Sequence, residues 1–231
     1  MPKTIVLFDL DGTLIDSTEA IVESFFTALD CFGINRPDDK AIIAMIGNPL
    51  AVMFERLGVA ADILDGAIGR YKEHYQSICL KKTVLIDTAA EAVKTLENRA
   101  RLGVVTTKTS RFSRMILDHL GIGGAFETVI GFEDVTRPKP DAEPIERALE
   151  VLGCGGAAFM VGDTPIDMQA ALNAGVTPIG LLCGFASREE LSAFTSALFE
   201  TPLEAALYVL SASQAAAGST QIASTARGQK L

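Results

Sequence analysis

Thr4-Ile5-Val6-Leu7-Phe8-Asp9-Leu10-Asp11-Gly12-Thr13 is the stretch that decides how this chain is read. The apolar run before Asp9 predicts a strand buried on both faces, as in a parallel sheet. It stops at two aspartates one residue apart, and alternation along the departing chain turns Asp9 and Asp11 to the same side. Gly12 frees the backbone to turn and brings its N–H groups close to whatever sits there. A buried strand that ends in paired carboxylates is costly unless something cationic or reactive joins them.

The rest of the chain supplies candidates for that role. Beyond residue 84, helix and strand alternate. A helix over 88–99 leads to a strand at Leu102–Thr106, and a helix over 110–120 to a strand at Phe126–Phe132. A helix over 141–152 precedes a strand at Ala157–Gly162, and a helix over 164–174 precedes one at Val176–Leu182. Ser187 and Thr201 open two short terminal helices with capping boxes. Such alternation predicts an α/β fold with a doubly wound parallel sheet, whose ligands bind beyond the carboxyl ends of the strands.

Residues 17–80 carry helical spacing and no strand signal. The predicted division is therefore a core of 1–15 and 84–210 and a helical cap of 16–83, inserted after the first strand as a lid. The cap aromatics Phe25, Phe26, Phe54, Tyr71 and Tyr75 are expected to form its own small core. Residues 211–231, rich in Ala, Ser, Gln, Thr and Gly, are expected to be a mobile tail.

Bulk properties narrow the partners. The 231 residues carry a net charge of −9 and no basic stripe, so neither nucleic acid nor an anionic membrane is an expected partner. Cys31, Cys79, Cys154 and Cys183 are scattered, which suits reduced, mostly buried thiols in a cytoplasmic protein. There is no run long enough for a signal peptide or membrane span.

The polar residues gather where the strands stop. Thr106-Thr107-Lys108 ends the second strand, Lys139 follows the third, and Gly162-Asp163 ends the fourth with Asp167 four residues on. Each has an ordinary explanation alone: Thr106 as a helix N-cap, Lys139 as a solvated loop lysine, the aspartates as complements to a helix N-terminus. Convergence in one crevice is what points to chemistry. Asp9, Asp11, Asp163 and Asp167 cannot face a phosphate dianion unaided, since each like-charge pair near 4 Å costs on the order of 4 kcal/mol at an effective dielectric of about 20. A hard divalent cation relieves this, and Mg²⁺ suits carboxylates shared with a substrate phosphate. Lys139 supplies a second positive charge, and Thr106, expected at a helix N-terminus, adds a hydroxyl and N–H groups that suit an anion.

Asp9-Leu10-Asp11-Gly12-Thr13, Thr106, Lys139 and Gly162-Asp163-Thr164-Pro165-Ile166-Asp167 resemble, in that order, the four motifs of the haloacid dehalogenase-like superfamily. The resemblance covers about residues 3–208. Ile46-Gly47-Asn48-Pro49-Leu50 and Lys139-Pro140-Asp141 look most like phosphoglycolate phosphatases and related pyrophosphatases with a helical cap. The resemblance implies a Mg²⁺-dependent phosphatase acting on a small phosphorylated metabolite, as a monomer or homodimer. It makes Asp9 the nucleophile that forms an aspartyl-phosphate and Asp11 the general acid and base, with Thr106 and Lys139 binding the phosphoryl oxygens. It places Mg²⁺ between Asp9, the Asp11 backbone carbonyl and Asp163, with Asp167 in support. Gly12, Thr13, Thr107, Lys108, Gly47 and Asn48 become substrate contacts.

Two departures stand out. Thr106-Thr107-Lys108 replaces the Thr-Asn-Lys usual in phosphoglycolate phosphatases, and Leu85-Ile86-Asp87-Thr88 replaces the Pro-Gly that usually leads into the helix after the cap. Asp11 argues against a dehalogenase, and no cap lysine is singled out for a phosphonate hydrolase. A sugar phosphomutase shares every core motif, an inorganic pyrophosphatase shares the fold, and a degenerate binding or regulatory protein is the alternative outside enzymes.

Overall fold

The computed structural model describes residues 4–153 and 156–227, with side chains as far as residue 214. A six-stranded parallel sheet is ordered β5-β4-β1-β6-β7-β8. Its strands are β1 (Thr4–Phe8), β4 (Ala100–Val105), β5 (Thr128–Ile130), β6 (Ala158–Gly162), β7 (Thr177–Leu181) and β8 (Leu198–Phe199). The chain winds outward from β1 in both directions, so the sheet is doubly wound and β1 sits at its switch point.

Period-2 alternation explains why β1 is apolar throughout. Val6 and Phe8 enter one core layer while Ile5 and Leu7 enter the layer on the opposite face. Each large aliphatic side chain so buried contributes roughly 1.5–3 kcal/mol. Helices α5 (Ala89–Leu96), α6 (Ser110–His119), α7 (Glu143–Leu152) and α8 (Pro165–Asn173) flank the sheet, with α9 (Arg188–Ser192) and α10 (Pro202–Arg227) completing the chain. α9 opens with the expected capping box, Ser187 with Glu190.

The inserted block consists of α1 (Thr18–Cys31), α2 (Asp39–Ile43), α3 (Leu50–Arg56) and α4 (Ala61–Ile78). Its core is aromatic: Phe25 lies 4.5 Å from Phe54 and 4.9 Å from Tyr71. Tyr71 and Tyr75 stack at 5.7 Å, and Tyr75 reaches across to Phe112 of α6 at 5.5 Å. The cap aromatics therefore do more than fill their own core. The two chain crossings between block and sheet pair as a short antiparallel ribbon, β2 (Ile15–Asp16) with β3 (Val84–Leu85). No alternation signals a ribbon of two residues, so it is invisible in the sequence.

One expectation needs correction, and two further elements were not read from the sequence. The segment from residue 211 continues α10 to Arg227: Ala205, Ala206 and Val209 bury one face, and the Thr4 hydroxyl donates to Ser213 at 2.9 Å. Alanine is the strongest helix former, so a composition poor in large apolar residues still sustains a helix once its first turns are docked. Residues 228–231 of that predicted tail lie outside the described residues. Among the described cysteines only Cys79 is buried, whereas Cys31 and Cys183 are exposed; Cys154 lies outside the described residues. β8 also went unread, being two residues long.

Candidate active site

The site is built on the carboxyl ends of β1, β4 and β6, the three central strands. Asp9 follows β1 directly, and its N–H still donates to Val161 O of the neighbouring strand at 2.9 Å. That ladder bond fixes where its side chain points. Lys139, 3% exposed, extends beneath the strand ends and its ammonium donates three hydrogen bonds. The acceptors are Asp9 Oδ1 at 2.7 Å, Asp167 Oδ1 at 2.6 Å and the Val105 carbonyl at 2.9 Å.

Asp9, Asp163 and Asp167 each offer a carboxylate oxygen within 4.8 Å of the others, all buried. Burial foremost, then the neighbouring Asp167 and Asp11 charges, outweighs Lys139 and pushes the Asp9 carboxyl up to about 7. Burial, followed by the charges of Asp167 and Asp9, also raises Asp163 well above the carboxylate range. Burial works against the Lys139 charge, but Asp167 and Asp9 outweigh it and hold the ammonium protonated. One lysine against three carboxylates leaves a negative excess. An all-oxygen, acid-rich set without nitrogen or sulfur ligands fits a hard divalent cation such as Mg²⁺.

The supports of the triad come from backbone turns. Thr13 donates to Asp163 Oδ1 at 2.8 Å and the Phe185 N–H to Oδ2 at 2.9 Å. The Thr164 hydroxyl and N–H hold Asp167 Oδ2 at 2.6 and 3.1 Å, a capping box that opens α8. Gly12 has φ +83°, and a Cβ there would stand 2.3 Å from Asp163 Oδ2 and 2.7 Å from Phe185. Only glycine permits both that conformation and that approach. Thr13 and Gly12, expected as substrate contacts, both pack on Asp163 in this structure.

Asp11 does not join the group of carboxylate oxygens within 4.8 Å, although its charge still bears on Asp9, so the expected four carboxylates around one spot become three with Asp11 beside them. The turn through Leu10–Ile15 carries its side chain toward the cap, where it accepts from the Ser17 hydroxyl and pairs with Lys108 Nζ at 3.0 Å. Lys108 also donates to the Tyr75 hydroxyl at 3.0 Å and lies 4.5 Å over that ring. Burial opposes the Lys108 charge, but Asp11 and the two tyrosines outweigh it and raise its pKa well above the ordinary lysine value. Thr106 does not begin a helix: α6 starts at Ser110 with Thr109 at its N-cap, and the Thr106 hydroxyl instead accepts from the Lys108 N–H at 3.2 Å. Such Ser/Thr turns compete with helical geometry.

Between cap and core lies a cavity of about 140 Å³. Asp11, Thr107 and Lys108 line it from the core, Gly47 and Asn48 from the cap. Gly47, at φ +100°, packs so that a Cβ would sit 3.2 Å from Thr164 of the core. Asp9, Asp163, Asp167 and Lys139 do not line this cavity, so the site has a buried acidic side and a separate cap-facing side.

Sequence reasoning missed Ser17, Tyr75, Thr164 and the Phe185 N–H. Ser17 directly precedes the helical spacing of the cap, where a serine reads as an ordinary helix start, and Tyr75 was assigned to the cap's own aromatic core, each a sufficient local explanation. Nothing marks a backbone donor 22 residues from its acceptor.

The profile of haloacid dehalogenase-like hydrolases matches residues 6–181, more than half of the chain and all four strand ends. A protein of Bacillus velezensis named pyrophosphatase PpaX is 37% identical over 193 residues, covering 83% of this chain and 88% of that one. A Colwellia psychrerythraea protein named phosphoglycolate phosphatase is 30% identical, covering 83% and 90%. The solved structure of a haloacid dehalogenase-like family hydrolase from Streptococcus pneumoniae superposes with a TM-score of 0.80 at 26% identity, covering 90% of this chain and 98% of that one. On the profile match over most of its length, together with the relatives of 30% identity or more, the chain belongs to the haloacid dehalogenase-like hydrolase family.

Proposed function

We propose that the protein is a Mg²⁺-dependent phosphatase that hydrolyses a small phosphate monoester, phosphoglycolate-like in size, through an aspartyl-phosphate. The observation that carries this reading is the division of labour between the two aspartates. Asp9 sits among buried acids with Lys139 at 2.7 Å, while Asp11 faces a cavity large enough for a leaving group.

Asp9 Oδ attacks phosphorus, and the bond from phosphorus to the ester oxygen breaks. Asp11 delivers a proton to the departing oxygen and then takes one from the water that cleaves the acyl phosphate, regenerating Asp9. Asp9 must be ionised to attack, and Lys139 favours that form against the cost of burial. Lys139 and Thr106 meet the transferring oxygens as charge spreads over them, the main task in phosphoryl transfer. Asp9, the Asp11 backbone carbonyl and Asp163, with Asp167 in support, would hold Mg²⁺, which would supply the positive charge that a phosphate dianion needs to enter an acidic site. The inserted helices close over the substrate and exclude water.

Phosphate release with and without Mg²⁺, from a panel of small phosphoesters that includes inorganic pyrophosphate, tests the reading. Asp9→Asn should abolish turnover while leaving the far-UV circular dichroism spectrum unchanged. Substantial turnover by a folded Asp9→Asn protein would remove Asp9 as nucleophile. Release of phosphate from none of the panel would refute the phosphatase.

A further inference from the structure

The cap-side cavity has a chemical character that the phosphoryl side does not share. Apolar side chains, Ile21, Ile46, Leu50, Met53, Ile68 and Phe112 among them, dominate its wall, with Asn48, Thr107 and Thr109 as the uncharged polar lining. Among the described residues two cationic side chains line it, Lys72 and Lys108. Lys72 is exposed at the rim. Lys108 is already engaged by Asp11 at 3.0 Å and by the Tyr75 hydroxyl at 3.0 Å, with the Tyr75 ring beneath it. Among the described residues no arginine lines the cavity.

A leaving group that bears its own carboxylate or phosphate would have to give up water in this cavity. Its charge would then compete with Asp11 and the Tyr75 hydroxyl for the Lys108 ammonium, the other lining cation, Lys72, being exposed to water at the rim. Burying an ion without a partner is far costlier than burying hydrocarbon. An apolar group of fitting size gains instead from every contact with the wall. The volume is informative: an engineered cavity of about 150 Å³ lined by Leu, Ile and Phe in another protein binds benzene. At about 140 Å³ this one suits a single six-membered ring or a branched chain of similar bulk.

The position of Asp11 ties the cavity to the reaction. Asp11 lines it, and Asp11 is the group that serves the departing oxygen, so whatever is attached to that oxygen must occupy this space. We infer that the substrate is a phosphate monoester of a compact, uncharged, apolar alcohol of about ring size, rather than a doubly anionic compound. The inference rests on the phosphatase reading above and narrows its substrate class.

Four compounds test it on the Mg²⁺-loaded protein: benzyl phosphate, methyl phosphate, 2-phosphoglycolate and inorganic pyrophosphate. The first three are esters of aliphatic alcohols of similar acidity, each protonated by Asp11 as it leaves, so their relative kcat/KM reports the cavity rather than the ease of bond cleavage. Benzyl phosphate should exceed methyl phosphate by about 100-fold, near the limit of what one apolar pocket discriminates, and exceed both charged compounds. Ala51→Phe, which projects a ring into the cavity from α3, should cut the benzyl-to-methyl ratio at least tenfold (about the effect of a lost apolar contact). A 2-phosphoglycolate or pyrophosphate rate equal to or above the benzyl phosphate rate overturns the inference and leaves the phosphatase reading standing. A ratio unchanged in folded Ala51→Phe also overturns it; if that variant does not fold, the wild-type ranking decides. Release from none of the four refutes the phosphatase and the inference with it.

Discussion

Replacing Lys139 with methionine removes the charge at the centre of the site while keeping most of the side-chain volume. In the wild-type protein its ammonium separates Asp9 Oδ1 and Asp167 Oδ1, at 2.7 and 2.6 Å, in a region that water barely reaches. Without it, carboxylate oxygens within 4.8 Å of one another repel by at least about 3.5 kcal/mol at an effective dielectric of about 20. Three charge-assisted hydrogen bonds vanish as well. Removing one partner of a buried ion pair typically costs about 3–5 kcal/mol, and that is the loss expected for Lys139→Met at about pH 7.5 in chelator. The loss should shrink at about pH 5.5. A carboxyl whose pKa is raised on folding binds more protons folded than unfolded, so its contribution to stability falls as pH rises toward the folded pKa. Removing Lys139 raises the folded value further and steepens that fall. Urea denaturation at the two pH values, with matched chelator, reads both effects. A loss under about 1 kcal/mol at pH 7.5, or a larger loss at pH 5.5, would contradict a Lys139 that neutralises the acids.

Gly12→Ala should destabilise by about 1–3 kcal/mol, since φ +83° is strained for alanine and its Cβ would meet Asp163 Oδ2 at 2.3 Å. A weaker Mg²⁺ titration should accompany the lower urea midpoint, because the displaced group is Asp163; an unchanged titration would separate Gly12 from the metal. Lys108→Met should lower kcat by on the order of 10–100-fold, as expected when a catalytic side chain loses its positioning partner, and an unaltered kcat would free Asp11 from that dependence. The wild-type protein in chelator should lose stability as pH rises from the ordinary aspartate value of 3.8 toward about 7, through Asp9. Asp9→Asn should flatten that slope, and a slope unchanged by the substitution would assign it to another group.

Much of the scaffold was legible because it rests on short-range patterns. Apolar runs bounded by glycine and aspartate mark β1, β4, β6 and β7, and helical spacing marks α1, α4 and α6–α8. The strand-end positions of Asp9, Thr106 and Asp163 follow from that alternation together with the rule that parallel sheets present their carboxyl ends on one side. The ribbon β2–β3, β8 and the helical course of 211–227 were not legible. Each depends on what the rest of the fold places beside a stretch too short or too bland to signal by itself.

The sequence by itself determined the doubly wound architecture, the family, and which residue types meet at the crevice, because local periodicity and motif order are properties of the chain. Tertiary structure alone decided which side of the crevice each carboxylate serves. Asp9 and Asp11 are two residues apart, yet one faces Lys139 and the triad while the other faces Lys108 and the cap. It also decided the apolar character of the cap cavity, whose wall gathers residues from 21 to 132. Distances of this kind are set by how a turn at Gly12 and a helical insert pack on a sheet, and packing couples residues that no stretch of sequence holds together.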